Sequence, residues 1–248
     1  MAKRIDASAR TGSVDVMETA SIKMPRSLFV FSIFYGGMVC IAGVLGNKQV
    51  GLGPLSALGP LFGLGPLAVE AGIFAFLLLV IVSSAVAELY GPKVANQLVR
   101  IGFLPLIVSI LLSWIVHLLP ASPDMQPANR DAIQLVLGAT WRIWLGGIIA
   151  YGTSQTLNVT IFAALKGREG SKLLWFRAAT ASVLSQIVDT LLFATIAFYG
   201  VFPIGELIAG QMLAKIALSV LLVPPFIYLV VALGRRLDGG ADRGLDRV

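Results

Sequence analysis

Two short polar segments lie inside long apolar stretches of this chain, and their side chains are the ones best suited to chemistry. The segment SQTLN begins at Ser154, and the segment SQIVD begins at Ser185 in the next apolar stretch. An amide or a charge placed in hydrocarbon costs several kcal/mol unless it meets a partner, water or a ligand. The pattern therefore indicates a polar cavity inside a membrane protein, either a transporter or an intramembrane binding protein.

The polar side chains have the same spacing in both segments, so each set falls on one face of a predicted helix. The offsets i, i+3, i+4, i+7 and i+11 are occupied by Tyr151, Ser154, Gln155, Asn158 and Phe162, and then by Ser182, Ser185, Gln186, Asp189 and Phe193. The segments also align without gaps at an offset of 31 residues. Because neighbouring spans run antiparallel, an inverted repeat of the kind found in transporters is compatible with this match.

Asp189 is the most informative single residue, and Lys215 in the following apolar stretch is its obvious partner. An Asp–Lys pair would either fix helix packing or open when a ligand or a proton binds. Gln155, Asn158 and Gln186 offer both donors and acceptors, so they either contact a ligand or hold helices together. For all of these residues the sequence leaves both alternatives open.

Two further charges lie near predicted membrane boundaries. Glu88 lies at the inner end of the second apolar stretch, where it either guards a cytoplasmic exit or is solvated at the interface. Arg142 lies at the outer end of the fourth, where it either attracts an electron-rich ligand or extends to the lipid headgroups. The residue types fit both roles.

The composition restricts the class of protein. The chain has 248 residues, of which 57% are hydrophobic and 13% charged, whereas soluble domains carry about 25% charged residues. One cysteine and one histidine exclude a disulfide framework and multi-histidine metal sites. No nucleotide-binding motif and no nucleophile–base pair is present, so we expect neither an enzyme nor a cofactor.

Six stretches reach the roughly 20 residues needed to cross a bilayer as helices. They lie near 28–46, 67–87, 98–118, 143–165, 178–200 and 206–233. Most of the 19 Lys and Arg residues lie in the two tails and in alternate loops, which predicts that both termini face the cytoplasm. We therefore expect an all-α membrane protein with a cytoplasmic polar tail at 1–26, a six-helix domain at 27–235 and a second polar tail at 236–248.

Two loops differ in character. Leu-Gly-Pro-Leu occurs three times after the first span, at 52–55, 58–61 and 64–67. Glycine and proline at this density do not continue a helix, so we expect either an irregular flap packed on the outer mouth or a low-complexity apolar linker. The segment 120–140 is expected to be an ordinary solvated loop.

These residues resemble a known family, the queuosine precursor transporters, also called the vitamin uptake transporter family. The resemblance covers roughly 28–235. It is carried by Asn47-Lys48, AELYG at 87–91, Arg142 followed by YGTSQTLNVTIF, LWFRAATASVLSQIVDTLLFATIAFYG from Leu174, and Lys215. Two positions depart from the family pattern, because Ser84 and Asn158 stand where the family usually has Asp.

The resemblance implies a multi-pass protein of the bacterial inner membrane that imports a 7-deazaguanine-type base, a queuosine precursor, by secondary transport. The amides and the carboxylate suit the edge of such a purine-like base, and aromatic rings such as Tyr151, Phe162 or Phe193 could stack on its face. The candidate binding residues are Asp189, Gln155, Asn158, Gln186, Ser185, Lys215, Arg142, Tyr151 and Glu88.

An alternative function is a substrate-binding membrane subunit for another vitamin-like molecule, working with a separate ATPase module. In either function we expect the protein to be embedded in a lipid bilayer. A homodimer is compatible with so small a membrane protein, and no nucleic-acid partner is expected.

Overall fold

The computed structural model describes residues 24–51, 53–61, 63, 65, 68–138, 141–166, 173–200 and 204–245. This part of the chain is mostly helical. Its helices are α1 (Arg26–Leu45), α2 (Leu58–Leu61), α3 (Gly72–Tyr90), α4 (Pro92–Leu118), α5 (Pro127–Leu137), α6 (Trp141–Ala164), α7 (Leu174–Phe198) and α8 (Ile204–Leu245), and its strands are β1 (Gln49–Gly51) and β2 (Ala68–Glu70). Helices are the expected choice in lipid, because they satisfy their backbone hydrogen bonds internally.

Among the described residues, five helices are long and apolar enough to cross a membrane. They lie in α1, α3, α4, α7 and the Gln211–Gly239 part of α8. The side chains that α1 and α4 turn away from the protein, including Ile33, Leu104 and Leu112, are large, apolar and exposed, as lipid-facing side chains should be. These helices support a multi-pass membrane protein.

The helix α6 corresponds to the predicted fourth span but does not belong to those five. It has 24 residues, which is long enough to span a bilayer. Its polar side chains, among them Ser154, Gln155 and Asn158, lower its mean hydropathy. The candidate site residues of α6 therefore also make it the least apolar of the candidate spans. The six-span arrangement stays a prediction.

The helix α3 lies at the centre of the packing. All its residues from Leu79 to Ala87 are buried, and the helices α1, α4, α6, α7 and α8 all contact it. The helix α7 packs along both α6 and α8. This arrangement brings the polar face of α6 against the part of α3 in which Ser83 and Ser84 lie.

The segment after α1 begins and ends in a short antiparallel pair of strands. Gln49 pairs with Glu70, and Gly51 pairs with Ala68. Between them the described residues include a 3₁₀ turn at Gly53–Ala57 and the one-turn helix α2. Because side chains alternate along a strand, Val69 enters the core while Glu70 lines a cavity on the other face.

Two regions differ from the sequence-based expectation. The segment 120–140 is not simply a solvated loop, because it contains α5, which starts with a proline in its first turn, a favourable position for that residue. The helix α8 continues to Leu245, well past the predicted span end at 233. On this extension, Asp238 accepts hydrogen bonds from the backbone N–H and the hydroxyl of Ser27, both at 3.0 Å, and it also contacts Tyr90.

Candidate functional site

A cavity of about 480 Å³ lies between the helix ends on one side of the molecule. Its walls come from the C-terminal halves of α1 and α4, the N-terminal halves of α3 and α6, the end of α5, and single turns of α7 and α8. The charged side chains among its described lining residues are Glu70, Asp189 and Lys215. This size suits a small organic molecule.

Asp189 and Lys215, the pair suggested by the sequence, form an ion pair in the structure. Lys215 Nζ on α8 lies 3.6 Å from Asp189 Oδ2 on α7. Ser154 on α6 donates a hydrogen bond to the other carboxylate oxygen at 3.1 Å. Both charged residues are more than 90% buried. One carboxylate therefore joins three helices at the floor of the cavity.

Glu70 is a component of the site that the sequence reasoning missed. Gln211 Nε2 on α8 donates a hydrogen bond to Glu70 Oε1 at 3.3 Å. Burial raises the pKa of the Glu70 carboxyl, and the positive charge of Lys215 opposes that rise. The available signal was that Glu70 is the one acidic residue between Gln49 and Ala87. Glu70 lies at the edge of the Gly/Pro-rich segment, where an acidic residue is usually expected to be exposed to solvent.

A second polar group lies deeper between α3 and α6. Asn158 Nδ2 donates to Ser84 Oγ at 3.0 Å and to Ser83 Oγ at 3.2 Å. Ser83 Oγ also lies 3.3 Å from Gln155 Oε1. All four side chains are fully buried. The amides of α6 thus face a pair of hydroxyls on α3 that the sequence-based site did not include.

Two tyrosines connect this group to α1 and α4. Tyr35 on α1 donates a hydrogen bond to Gln155 Oε1 at 3.5 Å, and the Tyr151 hydroxyl on α6 lies 3.1 Å from the Tyr35 hydroxyl. A Cβ atom at Gly102 on α4 would collide with the Tyr151 hydroxyl and with the Tyr35 ring. The glycine therefore lets both tyrosines pack closely against α4.

Several buried polar atoms near these groups have no protein partner within the described residues. Gln186 is 1% exposed, and neither its Nε2 nor its Oε1 makes a hydrogen bond. Gln155 Nε2, Asn158 Oδ1, Ser182 Oγ and Ser219 Oγ are also unpartnered. Proteins rarely leave such groups without a function, and these lie on the three helices that Asp189 joins. None of these residues is among those that line the cavity.

Three further predicted site residues do not belong to the described lining of the cavity. Glu88 lies at the opposite end of the helices from the cavity, where it pairs with Arg177 at 2.9 Å and with Lys166 at 3.5 Å. Ser185 donates a hydrogen bond to the backbone carbonyl of Ser182 on its own helix. The side chain of Arg142 lies outside the described part of the structure.

Of the three aromatic residues predicted to stack on a ligand, two line the cavity and one does not. Phe193 lines the cavity. Phe162 lies under the guanidinium of Arg177, with the Arg177 Cζ atom 4.1 Å from the ring centroid. Tyr151 lines the cavity and packs edge to face against Phe103. Tyr151 and Phe193 are therefore placed to contact a molecule in the cavity, whereas Phe162 is not.

Comparison with known proteins decides the family. Residues 70–230 match a family model described as "Putative vitamin uptake transporter". The chain belongs to the vitamin uptake transporter family. The expectation of a membrane transporter rather than an enzyme is confirmed at the level of this family.

A curated relative gives a second comparison. The chain is 31% identical over 142 residues to a "Probable queuosine precursor transporter" of Bacillus subtilis (strain 168). The match covers 55% of this chain and 61% of the relative, so it spans less than two thirds of that protein's length. No solved structure matches the chain.

Ser84 and Asn158, the two positions at which the resemblance predicts Asp in the family, contact each other. The 3.0 Å hydrogen bond between them joins two neutral side chains between α3 and α6. Within the described residues, the interior carboxylates of the site are instead Asp189 and Glu70, closer to the cavity. The cavity thus presents to a small molecule one paired carboxylate, Asp189, and a second carboxylate, Glu70.

Proposed function

We propose that this member of the vitamin uptake transporter family imports a 7-deazaguanine-type base, a queuosine precursor, for salvage. The observation that carries the proposal is the buried Asp189–Lys215 pair at the floor of the cavity, which adjoins amides with unpartnered atoms. The B. subtilis relative and the family match support a transporter with a substrate of this class.

The chemistry of the site suits a flat heterocycle with several donors and acceptors. Gln155, Asn158 and Gln186 each carry an amide that can donate and accept, and Asp189 can accept from a ring N–H or an exocyclic amine. Tyr151 and Phe193 offer faces for stacking. The further contacts we propose from the sequence are Lys215, Ser185 and Arg142, with Glu88 acting at the inner end.

The proposed transporter has six spans and cytoplasmic termini in the bacterial inner membrane, with polar tails at 1–26 and 236–248. Under this topology the cavity faces outward, because its walls come from the C-terminal ends of α1 and α4 and the N-terminal ends of α3 and α6. The strands and turns between α1 and α3 would form the outer flap. The ion pairs of Glu88 would then close the inner end.

Complementation tests the proposal. The chain would be expressed in a bacterium that neither makes queuosine precursors nor has its own importer, the medium would be supplied with a 7-deazaguanine, and tRNA would be assayed for queuosine. We expect queuosine with the wild-type chain and a large loss with Asp189→Asn at equal membrane levels. No queuosine despite normal expression would contradict the proposed substrate.

Reconstitution separates secondary transport from the alternative of a binding subunit. Purified protein in liposomes should take up the labelled base without ATP or any added protein. Binding without uptake, together with an ATPase that copurifies from the native membrane, would instead show that the chain is a substrate-binding subunit of an ATP-driven transporter.

A further inference from the structure

The charges on the described lining of the cavity do not balance. Two carboxylates, Glu70 and Asp189, and one ammonium, Lys215, line it within the described residues. Lys215 lies within ion-pair distance of Asp189 at 3.6 Å. Glu70 has no cation within that distance among the described residues, and it receives one hydrogen bond from the neutral amide of Gln211. With all three groups ionised, the described part of the lining therefore carries one net negative charge; the side chain of Arg142 lies outside that part.

The position of Glu70 is fixed by backbone and side-chain contacts. It is the last residue of β2 and pairs with Gln49 of β1. The next residue, Ala71, donates its N–H to the Lys48 carbonyl at 2.8 Å, and the preceding Val69 is fully buried. Glu70 is thus held at the wall of the cavity by the strand pair on one side and by α8 on the other. Lys215 and Asp189 line the same cavity.

The adjoining turn of α7 adds a buried amide, but not one that lines the cavity. Gln186 lies three residues before Asp189 on α7 and is buried without a partner for either amide atom among the described residues. Glu70 and Asp189, in contrast, both line the cavity. A neutral molecule there would not balance the charge of Glu70, whereas a molecule that carries a cationic group would. A charge contact at a protein wall discriminates more strongly than the same contact in bulk water.

We infer that Glu70 is a specificity-determining residue that makes the cavity select small heterocycles with a protonated amine substituent over neutral analogues. The inference rests on the proposed function, which supplies the class of substrate. It adds that the substrate carries a positive charge. In this assignment Asp189 stays paired with Lys215, and the free carboxylate of Glu70 receives the ammonium group of the ligand.

The sign of the cavity charge can be measured without knowing the substrate. Cys40 is the one cysteine of the chain and lines the same cavity. A cationic trimethylammonium thiosulfonate and an anionic sulfonate thiosulfonate would be compared at Cys40 in a mildly alkaline buffer, which ionises Glu70. We expect the ratio of cationic to anionic modification rates, normalised to a small free thiol, to fall about tenfold in Glu70→Gln, because one nearby charge is removed.

The matched control is Asp124→Asn, which removes an acidic charge from the exposed segment before α5, outside the cavity lining. It should leave the rate ratio unchanged. A normalised wild-type ratio of one, or an equal ratio in wild type and Glu70→Gln, would overturn the inference. Glutamine can still accept a hydrogen bond from Gln211, so the variant should keep the local fold.

The second measurement uses transport. Uptake of a 7-deazaguanine with an aminomethyl substituent would be compared with uptake of its neutral cyano analogue. We expect the wild type to prefer the aminomethyl compound and Glu70→Gln to lose that preference while still transporting the cyano compound. Equal loss of both in the variant would assign Glu70 a structural role and overturn the inference.

The two measurements separate the inference from the proposed function. If the wild type transports neither base while the Cys40 rate ratio still falls in Glu70→Gln, then the proposed substrate is wrong and the charge selection stands. If both bases are transported without preference and the Cys40 ratio does not change, then the proposed function stands and the charge selection is wrong.

Discussion

At the scale of single residues, the Asp189–Lys215 pair carries both structural and functional consequences. Its two members are more than 90% buried, so removing one leaves the other largely enclosed by protein. Burying an ion pair is often no better than burying apolar groups of the same size, whereas leaving one charge without its partner is costly. The pair can therefore be tested by removing one charge and then both.

We predict that Lys215→Met lowers the free energy of unfolding by roughly 3–5 kcal/mol, because Asp189 stays buried without a counter-ion. The double variant Lys215→Met/Asp189→Asn should recover most of this loss. It should not recover uptake if Asp189 binds the substrate. Unfolding of the purified variants in mixed detergent micelles and uptake in liposomes give the two readouts.

If the double variant recovers both stability and uptake, then the pair is purely structural, and the substrate site must be placed on the amides alone. Asp131→Asn is a suitable control, since Asp131 belongs to an exposed pair with Arg130 at 3.5 Å. Exposed pairs of this kind contribute little to stability.

At the scale of secondary-structure elements, Arg177 joins three helices at the end opposite to the cavity. It is 1% exposed, pairs with Glu88 of α3, and donates its Nε hydrogen to the Phe162 carbonyl of α6 at 3.2 Å. Its guanidinium also lies over the Phe162 ring. These contacts use the planar, multidentate geometry that distinguishes arginine from lysine.

We predict that Arg177→Gln lowers the free energy of unfolding by roughly 3–5 kcal/mol, since it leaves Glu88 without its closest cation and removes buried contacts. Lys166→Gln should lower it by less than about 1 kcal/mol, because the Lys166 side chain is 43% exposed and lies 3.5 Å from the same carboxylate. Melting of both variants in detergent tests this order. Equal effects would show that Arg177 does not hold the three helices together.

At the scale of the whole molecule, the cavity and the Arg177 contacts lie at opposite ends of the helices. An alternating-access transporter needs such an arrangement, in which one end is open while the other is closed. The single cysteine provides a way to test the orientation, because Cys40 belongs to the cavity wall and no other cysteine competes for the reagent.

We predict that a membrane-impermeant thiol reagent added to intact cells modifies Cys40 from the outside, and that a bound substrate slows the reaction. Cys40→Ala should give no signal and serves as the background. The amount of modified protein is measured by mass shift after extraction. Modification only in inverted membrane vesicles would reverse the proposed topology.

The sequence by itself determined the class of protein, the family resemblance and the polar faces of α6 and α7. Helical spacing in apolar stretches is a local property, so Ser154, Gln155, Asn158, Gln186 and Asp189 could be placed on helix faces without a structure, and all five are buried. The same local reasoning missed α5 and shortened α8, because it took polar segments to be unstructured.

Only the tertiary structure decided which of these residues meet. Ser83, Tyr35 and Gln211 are unremarkable in the sequence, yet Ser83 and Tyr35 contact Gln155 and Gln211 contacts Glu70. These contacts form because α3 and α1 approach α6, and because α8 packs against β2. Glu88 looked like a site residue, but the helix α3 carries it to the end opposite to the cavity. Contacts between distant segments depend on how helices pack, and spacing along one chain segment does not encode that. The charge of the cavity, with Glu70 beside Asp189 and Lys215, is therefore a property of the fold.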